Sequence, residues 1–216
     1  MELLYPRVCP VCGERIPFRR SRCSCSDQAP QFVPPDVGDL SNDPDRLDPF
    51  TAVYYYNGSV RFDLLSLKVF GRVSCVKPFS HAMARRVAEV FPDVSFDCVT
   101  FVPMHPLDLR KRSFNQSALL AQTVAADLFI PCSALLQKVC TTQNQHTLSQ
   151  TQRLENLIGA FAPTALVSPG STVLLVDDIK TTGTTLRRCR DVLIHAGVSA
   201  VYCLACAMTD YGTLDF

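Results

Sequence analysis

The run TVLLVDDIKTTGTTLRR, Thr172 to Arg188, constrains this chain more than any other stretch. Val173, Leu174, Leu175 and Val176 form an uninterrupted apolar segment, the pattern of a central parallel strand covered on both faces. Two carboxylates, Asp177 and Asp178, stand where that strand is expected to end. Ile179, Lys180, Thr181, Thr182, Gly183, Thr184 and Thr185 follow, and Leu186 to Ala196 reads as a helix. In open α/β sheets ligands collect at the carboxyl ends of strands, which is where this polar segment falls.

Gly183 lets the backbone turn or approach a ligand with no Cβ in the way. The threonines supply hydroxyl donors, and the helix N-terminus adds unpaired N–H groups and a positive dipole end, a combination that favours a phosphate. Adjacent acids cannot favour the same phosphate. They need ribose hydroxyls, a magnesium ion, or both. The competing reading is a strand end with two solvated aspartates and a threonine cap.

Val173 to Thr185 resembles the 5-phosphoribosyl 1-diphosphate (PRPP) signature of type I phosphoribosyltransferases. It lacks the lysine and glycine order of a P-loop. The resemblance implies an α/β fold, a parallel sheet flanked by helices.

The 216 residues suffice for one α/β domain and a small appendage. A formal net charge of +1 and 47% hydrophobic residues argue against bulk disorder and against a strongly basic nucleic-acid binder. No apolar segment approaches the ~20 residues of a membrane span, and MELLYPRVCP does not read as a signal peptide, so a cytoplasmic protein is expected. Eleven cysteines are many for a reducing compartment and point to metal ligation by some of them.

Cys9 and Cys12 form a CxxC followed by Gly13, and Cys23 and Cys25 form a CxC ten residues later. Four thiolates around one structural Zn²⁺ would fold a segment too short for its own core; redox chemistry or uncoordinated thiols are the alternatives. Arg15, Arg19, Arg20 and Arg22 decorate this knuckle, as a solvated face or a nucleic-acid contact. The expected organisation is a knuckle over 1–26, a Pro/Asp-rich linker or extended wrap over 27–51, and the α/β body over 52–216.

Within the body, Ala52 to Tyr56 reads as a strand, Ser59 as the cap of a helix through Lys68, and Ser80 to Phe91 as a second helix. Asp97 to Val102 reads as a buried strand, with a basic loop and then a helix to about Leu128. Ser113 or Asn115 can cap that helix. His105 is open to acid/base work or to a structural loop role. Cys203 and Cys206, though a CxxC, would face opposite sides of a strand and serve as core thiols.

Tyr54-x-Tyr56-x-Gly58, Leu67-Lys68-Val69-Phe70-Gly71, Arg112-Ser113-Phe114-Asn115-Gln116 and Gln145, Leu148, Arg153, Asn156, Gly159, Ala160, Phe161 resemble, in order, the ComF-type competence family. This chain has Ser113 where the family pattern has glycine. The resemblance implies that Asp177 and Asp178 take the ribose of PRPP with Mg²⁺, and that Thr181, Thr182, Gly183, Thr184 and Thr185 take its 5′-phosphate. It implies that Met104, His105, Arg110, Lys111 and Arg112 take pyrophosphate, and that Arg153 works beside the acids in catalysis. Two functions follow: a PRPP-binding protein that handles incoming single-stranded DNA with the DNA-uptake machinery, or an active phosphoribosyltransferase of nucleotide or nucleobase metabolism with an unidentified acceptor.

Overall fold

The computed structural model describes residues 8–9, 14–17, 19–41, 48–139 and 160–209. Its centre is a five-stranded sheet of order β1-β2-β7-β6-β3. The strands are β1 (Gly38–Asp39), β2 (Pro49–Tyr55), β3 (Cys98–Phe101), β6 (Thr172–Lys180) and β7 (Ala200–Met208), and a separate antiparallel pair joins β4 (Leu136–Lys138) to β5 (Phe161–Pro163). β2, β7, β6 and β3 run parallel, and only β1 is antiparallel to its neighbour. The expected parallel sheet is present, with helices on both faces.

Alternation along β6 explains the two layers. Leu174 and Val176 pack into a core with α1 (Gly58–Phe70), α2 (Val76–Val90) and α4 (Gln116–Leu128), through Leu67, Met83 and Leu120. Val173 and Leu175 pack into the other core against α5 (Thr184–His195), through Leu186, Cys189 and Leu193. The four apolar residues are fully buried, so the sheet loses about 1.5–3 kcal/mol for each such side chain left in water. Cys203 and Cys206 lie in opposite cores, as strand alternation requires.

Phe32 to Asp39, before β2, form an extended wrap. Phe32 bridges Tyr54, Val33 N–H donates to Val53 O, and Gly38 pairs with Phe50, so it covers the outer edge of β2. At the far edge, Val99 of β3 bridges Cys132, with Val99 N–H donating to Pro131 O and Ser133 N–H to Val99 O. Buried Arg86 of α2 clamps the wrap by donating to Val33 O (2.7 Å), Pro34 O (3.1 Å) and Ala52 O (2.5 Å). Arg190 of α5 pairs with buried Asp48 at 2.8 Å.

Several boundaries differ from expectation. α1 begins at Gly58 with Asn57 as N-cap, and Ser59 lies inside the first turn with its hydroxyl buried and unpaired. α2 begins at Val76 because a 3-10 turn over Val73–Cys75 feeds it directly. Residues 103–116 are not one loop: α3 (Pro106–Arg112) interrupts them, with Pro106 at a position where its missing N–H is harmless and three cations at the negative dipole end.

Candidate functional site

β6 does not stop at the acid pair. It continues to Lys180 because β7 extends to Met208 and supplies ladder partners. Asp177 and Asp178 therefore sit on the last rungs of a central strand, held by backbone pairing. Asp177 is only 7% exposed. Its Oδ1 accepts from the Ser117 hydroxyl and from Asp178 N–H, both at 2.9 Å, while Asp178 Oδ1 accepts from Ile179 N–H at 2.8 Å. Ser117 lies in the first turn of α4, whose cap Asn115 accepts from Ser117 N–H (3.0 Å) and donates to Val102 O (2.9 Å). Those bonds lock α4 against the ends of β3 and β6.

Burial pushes the Asp177 carboxyl well above the ordinary carboxylate range, repulsion from Asp178 adds to this, and the two donations oppose it. Asp178 is raised by burial too, against its hydrogen bonds and the Lys68 ammonium of α1, which favour its charged form. Two adjacent carboxyls whose charges are under-compensated fit a ligand that brings positive charge or hydroxyl donors: Mg²⁺ or a ribose diol.

The loop beyond turns through Gly183 at φ +76°, and a Cβ there would stand 2.9 Å from Leu40 Cδ2. The positive φ is what demands glycine here, and the Leu40 side chain at the end of the wrap packs over it. The Thr182 and Thr184 hydroxyls bond each other at 2.9 Å, and Thr182 Oγ1 accepts from Thr184 N–H at 3.4 Å. Thr181, Thr182 and Thr185 are exposed. Arg187 donates to Thr184 Oγ1 and to Leu40 O, both at 3.4 Å. Lys180 lies over the Phe50 ring at 5.3 Å, and burial, then the nearby Arg187, depresses its pKa.

Met104 and His105 are half-buried at the end of β3, and His105 caps α3 by accepting Leu107 N–H on Nδ1 at 3.2 Å. Arg110 and Lys111 are exposed and Arg112 half-buried on α3. Ser113 terminates α3 in the left-handed region at φ +66°, with a Cβ in place. Arg153, together with Gln145, Leu148, Asn156 and Gly159, lies outside the described residues.

In the knuckle, the sulfurs of Cys9, Cys23 and Cys25 lie within 4.8 Å of one another, Cys9 and Cys25 at 3.5 Å. Thiolates at about 2.3 Å from a tetrahedral Zn²⁺ stand about 3.8 Å apart, so three sulfurs fit that ion. Cys12 lies outside the described residues. Cys9, Cys23, Ile16 and Phe62 of α1 make one small core, and Arg22 pairs with Asp63 at 2.9 Å. Sequence reasoning missed Ser117, Leu40 and the Lys180–Phe50 contact. A serine opening the helix after the adjacent strand was the one available signal.

The chain is similar to competence protein ComFC of Bacillus subtilis, at 26% identity over 151 residues, 69% of this chain and 59% of that one. It is similar to competence protein F of Haemophilus influenzae, 34% over 103 residues, 46% of this chain and 45% of that one. DNA utilization protein YhgH of Escherichia coli K12 matches at 34% over 111 residues, 50% of this chain and 48% of that one. These relatives, at modest identity, support the resemblance to the ComF-type proteins. The chain spans about half the length of these ComF-type relatives, and no family model matches it. Solved structures similar to this chain include glutamine PRPP amidotransferase from B. subtilis (26% identity, TM-score 0.47, 62% of this chain and 26% of that one). An adenine phosphoribosyltransferase matches at 15% identity and TM-score 0.43, over 66% of this chain and 75% of that one. Among the described residues, no helix is long and apolar enough to cross a membrane.

Proposed function

We propose that this ComF-like chain binds PRPP with Mg²⁺ at the end of β6 and handles incoming single-stranded DNA in the cytoplasm during DNA uptake. The acid pair followed by the Gly183 turn into α5 carries this reading: it sets carboxylates and phosphate donors side by side on one strand end. Asp177 and Asp178 take the ribose hydroxyls. Thr181 to Thr185 and the N–H groups opening α5 take the 5′-phosphate. Met104, His105, Arg110, Lys111, Arg112 and Arg153 take pyrophosphate. A Mg²⁺ ion held beside Asp177 and Asp178 supplies charge neutralisation when bound. The names of the relatives support DNA as the partner, and the arginines of the zinc-bound knuckle, Arg19, Arg20 and Arg22, guide the strand electrostatically. A division into knuckle (1–26), linker (27–51) and body (52–216) goes with this reading.

Turnover is the second reading. It is favoured by the separation of charge, acids on β6 and three cations on α3, which suits an oxocarbenium-like transfer with pyrophosphate leaving. PRPP titration by calorimetry, with and without Mg²⁺, tests the site. Magnesium-dependent binding is expected in the wild type and absent in Asp177→Ala/Asp178→Ala. No wild-type binding would remove both readings of the site. Pyrophosphate release with any acceptor would move the second reading to the front.

A further inference from the structure

We infer that the C-terminal turn of α1, with α3 beside it, is a contact face for single-stranded DNA on which the Phe70 ring stacks an unpaired base. This rests on the DNA reading above and adds where the strand lies. The buried stripe of α1 ends at Leu67, and Lys68, Val69, Phe70 and Gly71 that follow are all exposed. Phe70 is 49% exposed, and the Arg72 guanidinium lies over its ring at 5.6 Å. An amphipathic helix that has exhausted its core contacts has no folding reason to end on an aromatic ring held against a cation.

The face is continuous with the candidate site on one side and with α3 on the other. Lys68 is close enough to favour the charged form of Asp178. A Cβ at Gly71 would lie 3.6 Å from Phe114 Cε1, so the end of α1 abuts the connector that follows Arg110, Lys111 and Arg112. Ion pairs of the described residues run through Arg20, Arg22, His81, Arg86 and Arg190. The cations of this face, Lys68, Arg72, Arg110, Lys111 and Arg112, join none of them, and Asp108 is the acid in their midst.

Surplus positive charge around one exposed ring matches a polyanion with free π-faces. A cationic track holds the phosphates, and a ring holds a base that duplex DNA would keep paired. Val69, Val73, Leu107 and Leu109 are exposed on the same two segments, so an anionic membrane surface is the rival occupant to be tested.

The experiment titrates a labelled single-stranded thymidine oligonucleotide by fluorescence anisotropy, with melting curves confirming that each variant folds. Phe70→Ala is expected to weaken binding roughly 5- to 150-fold, the size of one lost base stack. Arg72→Gln should lower the slope of log Kd against log salt by about 0.7. Phe129→Ala, which removes a ring 95% exposed at the end of α4, should change neither. Absence of binding by the wild type overturns the DNA reading itself. Wild-type binding that survives both Phe70→Ala and Arg72→Gln overturns this inference alone. Capture of the wild type but not Phe70→Ala by phosphatidylglycerol vesicles, with DNA affinity intact in the variant, gives the face to a membrane instead.

Discussion

The Ser117 hydroxyl donates to Asp177 Oδ1 at 2.9 Å, both groups buried, and so ties the first turn of α4 to the last rungs of β6. Removing the donor leaves a buried carboxylate short of a partner. Ser117→Ala is expected to lose about 1–3 kcal/mol in urea unfolding and to push the Asp177 carboxyl further up. An unchanged midpoint would mean that the bond contributes nothing net.

Stability should depend on pH in a direction unusual for aspartates. Burial raises Asp177 and Asp178 in the folded chain, so above the ordinary aspartate value of about 3.9 the folded state holds more protons than the unfolded one. Their stabilising contribution is complete below that pH and is lost as pH rises through the raised values. Ligand-free wild type should therefore lose stability relative to Asp177→Asn over this window. At neutral pH the variant should be the more stable by something on the order of 1 kcal/mol. Parallel pH profiles for the two proteins would contradict the assignment.

Ser113 holds a left-handed conformation with a side chain that disfavours it. Ser113→Gly should raise stability by about 1 kcal/mol, read as a higher melting temperature. A loss instead would mean that the serine side chain makes a contact worth more than the backbone relief.

The knuckle docks on α1 through Phe62 and the Arg22–Asp63 ion pair. If zinc holds Cys9, Cys23 and Cys25, native mass spectrometry should find one ion per chain. Chelation should then speed amide exchange in α1 while β6 and β7 keep their protection. Identical exchange in α1 with and without chelator would detach the metal from the packing of that helix.

The parts of this fold legible in the sequence are those set by local patterns. The apolar run at Val173 to Val176 marks a strand buried on both faces, and the opposite orientation of Cys203 and Cys206 follows from a period of two. Asn115 as a cap follows from its chemistry. α3 was hidden although Pro106 and the trailing cations signal it, because seven residues give no readable hydrophobic period. The clamp of Arg86 on the wrap, the approach of Leu40 to Gly183 and the Ser117–Asp177 bond join residues distant in sequence, 52 positions for Arg86 and Pro34 and 60 for Ser117 and Asp177. No local pattern carries such pairings. Ser59 misled for a related reason: its type suits a cap, and the position of the preceding turn gave that place to Asn57.

The outer strands of the four-stranded parallel part of the sheet are flanked, β2 by β1 and the wrap, β3 by the segment through Cys132. A bare margin would offer a row of unmet N–H and C=O groups to any passing extended chain. Here one edge is the two-residue β1 and the other is bridged at Val99, so little of that template is left for edge-to-edge polymerisation. A second copy of this protein that docked on it would be directed to helical or loop surfaces, and its contact would be built from side chains.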